Sequence, residues 1–318
     1  MNRRLVLVAL TLSGLLWGTS AALTKIALTA VEPGWLTAAR FVLAGLPLLW
    51  VSRRRLRAAT TWPVVVWGAL GYGVVVHLWN AGLARTSVTH GALVVAAVPG
   101  MVAIVALAAG RGSAGGRAWV GYGLALVGVG FVVAGGGGDA SLAGDLCVAV
   151  SMTLSSCFTV AQVDLLAGRD PVAVTAVQFA AAAVVTVGFA ASTEGLPRAA
   201  TASVPTAGLL AAAALVVTAT LLPFTLFAWA QARTTPEVAG AFLNLEPLVG
   251  AASGAAVFGD PFGFSQCVGA AAVLGGIALS ALPAPARPVP CPVPSPVPSP
   301  VACPVACPVP SPVPCPVA

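Results

Sequence analysis

Residues 85–99 read Arg-Thr-Ser-Val-Thr-His-Gly-Ala-Leu-Val-Val-Ala-Ala-Val-Pro, and residues 233–247, 148 positions later, read Arg-Thr-Thr-Pro-Glu-Val-Ala-Gly-Ala-Phe-Leu-Asn-Leu-Glu-Pro. Each begins with Arg-Thr, continues through an apolar run and ends on a proline. A second echo tests the duplication. Glu32-Pro33 followed by Arg40-Phe41 recurs as Asp170-Pro171 followed by Gln178-Phe179, at an offset of 138. Two landmarks keep their order in each half, and the difference in offset fits one loop of unequal length.

Composition says which solvent these repeats meet. Hydrophobic residues make up 58% of the chain and charged residues 8%, against about 45 to 50% and about 25% in a soluble domain. The chain therefore reads as a membrane protein. Crossing about 30 Å of hydrocarbon takes roughly 20 apolar residues. Ten such stretches are predicted, at 5–28, 34–51, 64–83, 88–109, 118–135, 142–160, 172–191, 206–228, 237–258 and 264–281. The period-2 alternation of a membrane barrel is missing, so the spans are helices. The first, preceded by Arg3 and Arg4, is longer than a signal-peptide core and is read as an uncleaved helix. The expected fold is an all-α integral membrane protein of ten transmembrane helices, with residues 1–137 as a first five-helix repeat and 138–282 as a second.

Five spans per half make the halves inverted with respect to each other, a common build for membrane transporters. With both termini cytoplasmic, that side collects Arg3, Arg4, Arg53, Arg54, Arg55, Arg57, Arg111, Arg117, Arg169, Arg233 and Arg287, and the outer loops keep Arg85 and Arg198. This satisfies the positive-inside rule. The net charge of +6 then reports orientation and contact with the lipid bilayer, and calls for no nucleic acid.

Residues 283–318 hold 15 prolines in 36 positions. Proline fixes φ and removes a donor, so this tail is expected to be polyproline II or disordered, either a low-complexity extension or a ligand for a polyproline-reading domain. The seven cysteines form no Cys-x-x-Cys pair and predict no metal site. Two histidines without a nearby nucleophile or orienting carboxylate, and no phosphate-binding loop, argue against an enzyme, an ATP-driven pump and any cofactor. Glycines inside the spans, such as Gly68, Gly71 and Gly73, suit close helix packing.

Polar residues inside hydrocarbon carry the functional expectation, since each charge there costs about 2.5 to 3.5 kcal/mol on insertion scales. Glu246 stands in mid-span before Pro247, whose ring frees a backbone carbonyl at the midplane; Pro99 is its counterpart, and both prolines are expected to kink their helices. Glu246 reads either as a proton-coupled or substrate-contacting carboxyl group or as a neutral acid that locks the kink. Lys25 and Arg40 lie toward the outer ends of their helices, Arg40 about 8 Å in at about 1.5 Å per residue. Both read as snorkelling or as part of an outer vestibule for anionic groups. His77 and Asn80 share a helix side with Gly73 and suit either a cavity wall or interhelical bonding. Gln162, Asn244 and Trp229 complete the substrate-binding candidates.

At these residues the chain resembles the EamA family of the drug/metabolite transporter superfamily. Trp17-Gly18 precedes Lys25, Arg40-Phe41 follows in the second span, and each half has its Arg-Thr start and span-centred proline, with Glu246-Pro247 in the second. Phe258-Gly259-Asp260 stands where the family often carries Gly-Glu, and Ser155 and Ser156 stand where it commonly has an aromatic. The resemblance runs to about residue 282. It implies ten helices in two inverted repeats and alternating-access transport of a small metabolite, amino-acid-like or amphipathic, often outward. In the inner cell membrane Trp17 would join the substrate candidates, and proton coupling and a homodimer stay open. The alternative is a membrane scaffold that presents the proline tail to a cytoplasmic partner.

Overall fold

The computed structural model describes residues 3–110, 116–135, 141–197, 203–233, 242–243, 245–259 and 263–281. The main helices are α1 (Arg3–Ala27), α2 (Pro33–Ser52), α3 (Trp62–Leu83), α4 (Val88–Val95), α5 (Val98–Ala108), α6 (Gly116–Gly135), α7 (Leu142–Leu166), α8 (Pro171–Thr193), α9 (Thr206–Gln231), α10 (Leu245–Ser253) and α11 (Phe264–Ala281). Among the described residues there is no strand. Six of these helices, α1, α2, α3, α7, α8 and α9, are long and apolar enough to cross a membrane, and α4 with α5, a pair bent by 40°, makes a seventh. The proline tail lies outside the described residues.

Local chemistry explains several starts. Pro33 and Pro171 open α2 and α8, where the missing amide hydrogen is no loss. Ser87, Ser141 and Asp170 accept from the amides of His90, Gly144 and Ala173 at 3.1, 3.1 and 2.9 Å, filling orphan donors of α4, α7 and α8. Before Pro99, Ala96 and Ala97 bond back three residues, to Leu93 and Val94, and a new helix begins at Val98. Pro247 falls in the first turn of α10, and residues 234–241 before it lie outside the described residues.

The duplication is visible in the backbone. Helix α3 contains a π-helical turn at Ala69–Val74, and α9 contains another at Val217–Leu221. Their first residues are 148 apart, the offset of the two Arg-Thr segments. Partner choice repeats as well. Helix α1 packs on α9 and α10, while its counterpart α7 packs on α3, α4 and α5. Helix α2 packs on its own counterpart α8, and α6 on α11.

The α2–α8 pair runs antiparallel. Gly34 meets Glu194, Phe41 meets Phe179 at 5.2 Å between ring centroids, and Arg55 meets Asp170. Glu194 supplies the cap that Glu32 does not, accepting from the Gly34 and Trp35 amides at 2.9 and 3.1 Å. At the other end partial burial pushes the Asp170 carboxyl up, but the Ala173 amide and the Arg55 guanidinium outweigh it and hold it below the ordinary carboxylate range. Helix α3 lies along α8 in the same direction, with Gly68 at Gln178, Gly73 at Ala182 and His77 at Phe189. A Cβ at Gly68 would stand 2.5 Å from the Gln178 Cα, so only glycine lets these backbones approach this closely. Tyr72 anchors the core between them, its ring 4.8, 5.2 and 4.7 Å from Phe158, Phe179 and Phe224.

Candidate functional site

A cavity of about 140 Å³ opens where α1, α2, α3, α4, α5, α7, α9 and α10 converge, the scale of cavities that take a single aromatic ring. Both halves build its wall. Arg40 and Trp17 come from the first, and Gln162, Gln231 and Glu246 from the second. Tyr72, Phe158 and Phe224 of the aromatic core also face it, so a few polar groups are set in an apolar surface, the usual make-up of a small-molecule site.

Arg40 is deeply set in this wall. It is 3% exposed. Its Nε donates to Thr220 Oγ1 at 2.9 Å and its Nη2 to the Ala219 carbonyl at 3.2 Å. That carbonyl is available for a sequence reason: the residue four positions on is Pro223, which has no amide hydrogen to return. The π-helical turn of α9 carries both acceptors, in keeping with the frequent placement of such turns at functional sites. Arg40 Nη1 is buried with no hydrogen-bond partner, and no carboxylate among the described residues pairs with the guanidinium.

Four of the nine sequence candidates, Trp17, Arg40, Gln162 and Glu246, thus line one cavity. The others are placed elsewhere. Lys25 directs its Nζ to the Thr86 and Leu83 carbonyls, at 2.7 and 3.2 Å, and so caps the C-terminal end of α3 rather than facing the cavity. His77 lies edge-on to Phe189 at 4.5 Å between centroids. Asn80 donates to Thr37 Oγ1 at 2.8 Å and ties α3 to α2. The Gly73, His77 and Asn80 side of α3 therefore packs on α8 and α2. Trp229 stacks under the Arg233 guanidinium at 4.5 Å, and Asn244 lies outside the described residues.

Two polar constellations escaped the sequence reading. Gln162 and Gln178 exchange reciprocal amide bonds at 3.2 and 2.8 Å, so the repeat counterpart of Arg40 is satisfied by a neighbouring amide. His90 does have an orienting carboxylate, contrary to expectation. Its Nδ1 lies 3.1 Å from Asp145 Oδ2, and Thr86 Oγ1 donates to Asp145 Oδ1. The hydroxyl and the imidazole both converge on the carboxyl group and not on each other, so this is no nucleophile-histidine relay. The available signal was positional: Thr86, His90 and Asp145 all fall within one turn of helix starts that the ten spans expected from the sequence would put at the same end.

No curated protein matches the chain. One solved crystal structure, 21% identical, covers 88% of this chain and 97% of its own length with a TM-score of 0.63, a likeness of fold alone. The EamA-like transporter family matches twice in succession, over residues 4–134 and 142–282. These two matches contain every wall of the cavity, and the chain belongs to the EamA-like transporter family, a multi-pass membrane protein of the transporter class.

Proposed function

We infer that this protein is a secondary transporter that exports a small amphipathic metabolite across the inner cell membrane by alternating access. Ten spans would form two inverted five-helix halves, residues 1–137 and 138–282, with both termini cytoplasmic and residues 283–318 as a separate tail. The carrying observation is the cavity whose wall joins Arg40 of the first half to Gln162 and Glu246 of the second. A site held between two related halves is offered to each side in turn as they exchange conformations. The antiparallel pairing of α2 with its counterpart α8 supports the inversion, since corresponding helices of inverted halves run in opposite directions.

Solute counterflow into proteoliposomes tests this reading. Saturable uptake of a labelled metabolite against unlabelled internal solute is the expected result. A broad panel of small acids, amines and amino acids giving no exchange would overturn it. Glu246→Gln addresses coupling separately: loss of proton dependence with exchange retained assigns coupling to this carboxyl group, and an unchanged dependence removes it.

A further inference from the structure

We propose that Arg40 anchors the carboxylate of a small organic monoacid with an aromatic or branched apolar body. The proposal rests on the transporter reading above and names the substrate class of the same cavity.

The first argument is an unmet donor. Arg40 is a buried cation whose two hydrogen bonds go to neutral acceptors, with Nη1 left without a partner. A buried charge without a counter-charge is costly, and more so in hydrocarbon. The fold does not require that cost. At the repeat-related position Gln178 fills the same place as a neutral residue and completes its bonding with Gln162. The cation is thus particular to the half in which it meets the cavity.

Geometry then selects the anion. Thr220 and Ala219 hold Nε and Nη2 from the α9 side, which fixes the plane of the guanidinium while Nη1 remains to be satisfied. A planar carboxylate suits a planar fork. The rest of the wall sets the body of the ligand: Trp17, Phe158 and Phe224 line a space of one-ring scale. Arg40 is the one cation among the described residues of that wall, which favours a monoacid over a diacid.

Purified full-length protein would be titrated with 3-phenylpropionate and with its neutral amide, 3-phenylpropionamide, by calorimetry and by melting temperature. The acid is expected to bind saturably, on the order of 10- to 100-fold tighter than the amide, the range of a charged hydrogen-bond pair. Arg40→Gln, which installs the residue found at the repeat-related position, should weaken the acid far more than the amide and so erase the preference between them. The wild-type comparison of acid with amide needs no variant, so it holds even if Arg40→Gln does not fold. Equal binding of acid and amide, no binding of either, or a folded Arg40→Gln that keeps the acid preference overturns the proposal. If the acid binds but no solute exchanges in proteoliposomes, the transport reading fails and this site stands. If a solute exchanges without any preference for the acid, the reverse holds.

Discussion

Nδ1 of His90 lies 3.1 Å from Oδ2 of Asp145, and both side chains are nearly sealed from solvent, at 3% and 5% exposure. The contact joins α4 to α7, and the Thr86 hydroxyl adds the loop after α3. Ser141, one turn earlier, returns two bonds to the Arg85 carbonyl, from its amide at 3.0 Å and its hydroxyl at 2.7 Å. Lys25 of α1 reaches the same loop through the Thr86 carbonyl. One end of four helices is thereby stitched around residues 83–87.

Asp145→Ala should be strongly destabilising. It leaves a hydroxyl and an imidazole buried without their common partner, at about 1 to 3 kcal/mol for each. Asp145→Asn keeps one acceptor for Thr86 and should fall between wild type and alanine. Detergent-solubilised melting curves check the order, and an alanine variant as stable as wild type would show that water replaces the carboxyl group.

Gly68→Ala tests the closest helix approach. The added Cβ would meet backbone, the Gln178 Cα at 2.5 Å and carbonyl oxygen at 2.8 Å, and backbone cannot rotate away. Overpacking of this kind costs about 1 to 3 kcal/mol. Gly123 in α6 has nothing within 4 Å of the same virtual atom, so Gly123→Ala should be neutral or stabilising by up to about 1 kcal/mol from helix propensity. The two variants compared by thermal unfolding separate steric conflict from a general effect of adding a methyl group.

How much of this the sequence reveals depends on what kind of relationship is asked for. The repeat is legible because offsets survive in one dimension, and the offset of 148 even places the two π-helical turns. Arg40, Gln162 and Glu246 were legible because polar side chains in hydrocarbon need a reason. The neighbours of a helix face are not written in its period. His77 and Asn80 lie on one side of α3 as expected, but that side meets Phe189 and Thr37 and not the cavity. Asp145 and His90 are 55 residues apart, and only the packing of α4 on α7 brings them together.

Acid should weaken the α2–α8 pair at its Asp170 end. The Asp170 carboxyl is held below its ordinary range in the folded protein, so its contribution is complete above the unfolded value and is lost as pH falls through the folded one. Most of that contribution is the cap on the Ala173 amide, worth about 1 kcal/mol on removal. Arg55 is 70% exposed, and the ion pair adds at most a similar or smaller amount. Asp170→Ala should therefore melt earlier than wild type at neutral pH, with the gap closing in strong acid. A gap that is constant with pH would assign the effect to packing.

Lys25→Met separates a structural cation from a binding one. In Lys25 the ammonium serves the Leu83 and Thr86 carbonyls at the end of α3, and it does not border the cavity, whereas Arg40 does. Methionine keeps most of the apolar stem and removes the charge-assisted bonds, so stability should fall by about 1.5 to 3 kcal/mol. Binding of 3-phenylpropionate should stay within about twofold of wild type, a difference well under 1 kcal/mol. Arg40→Gln should instead abolish the preference for the acid over its amide. If Lys25→Met abolishes acid binding while the folded protein melts normally, the ammonium belongs to the substrate path, and the carbonyl contacts describe only its resting position.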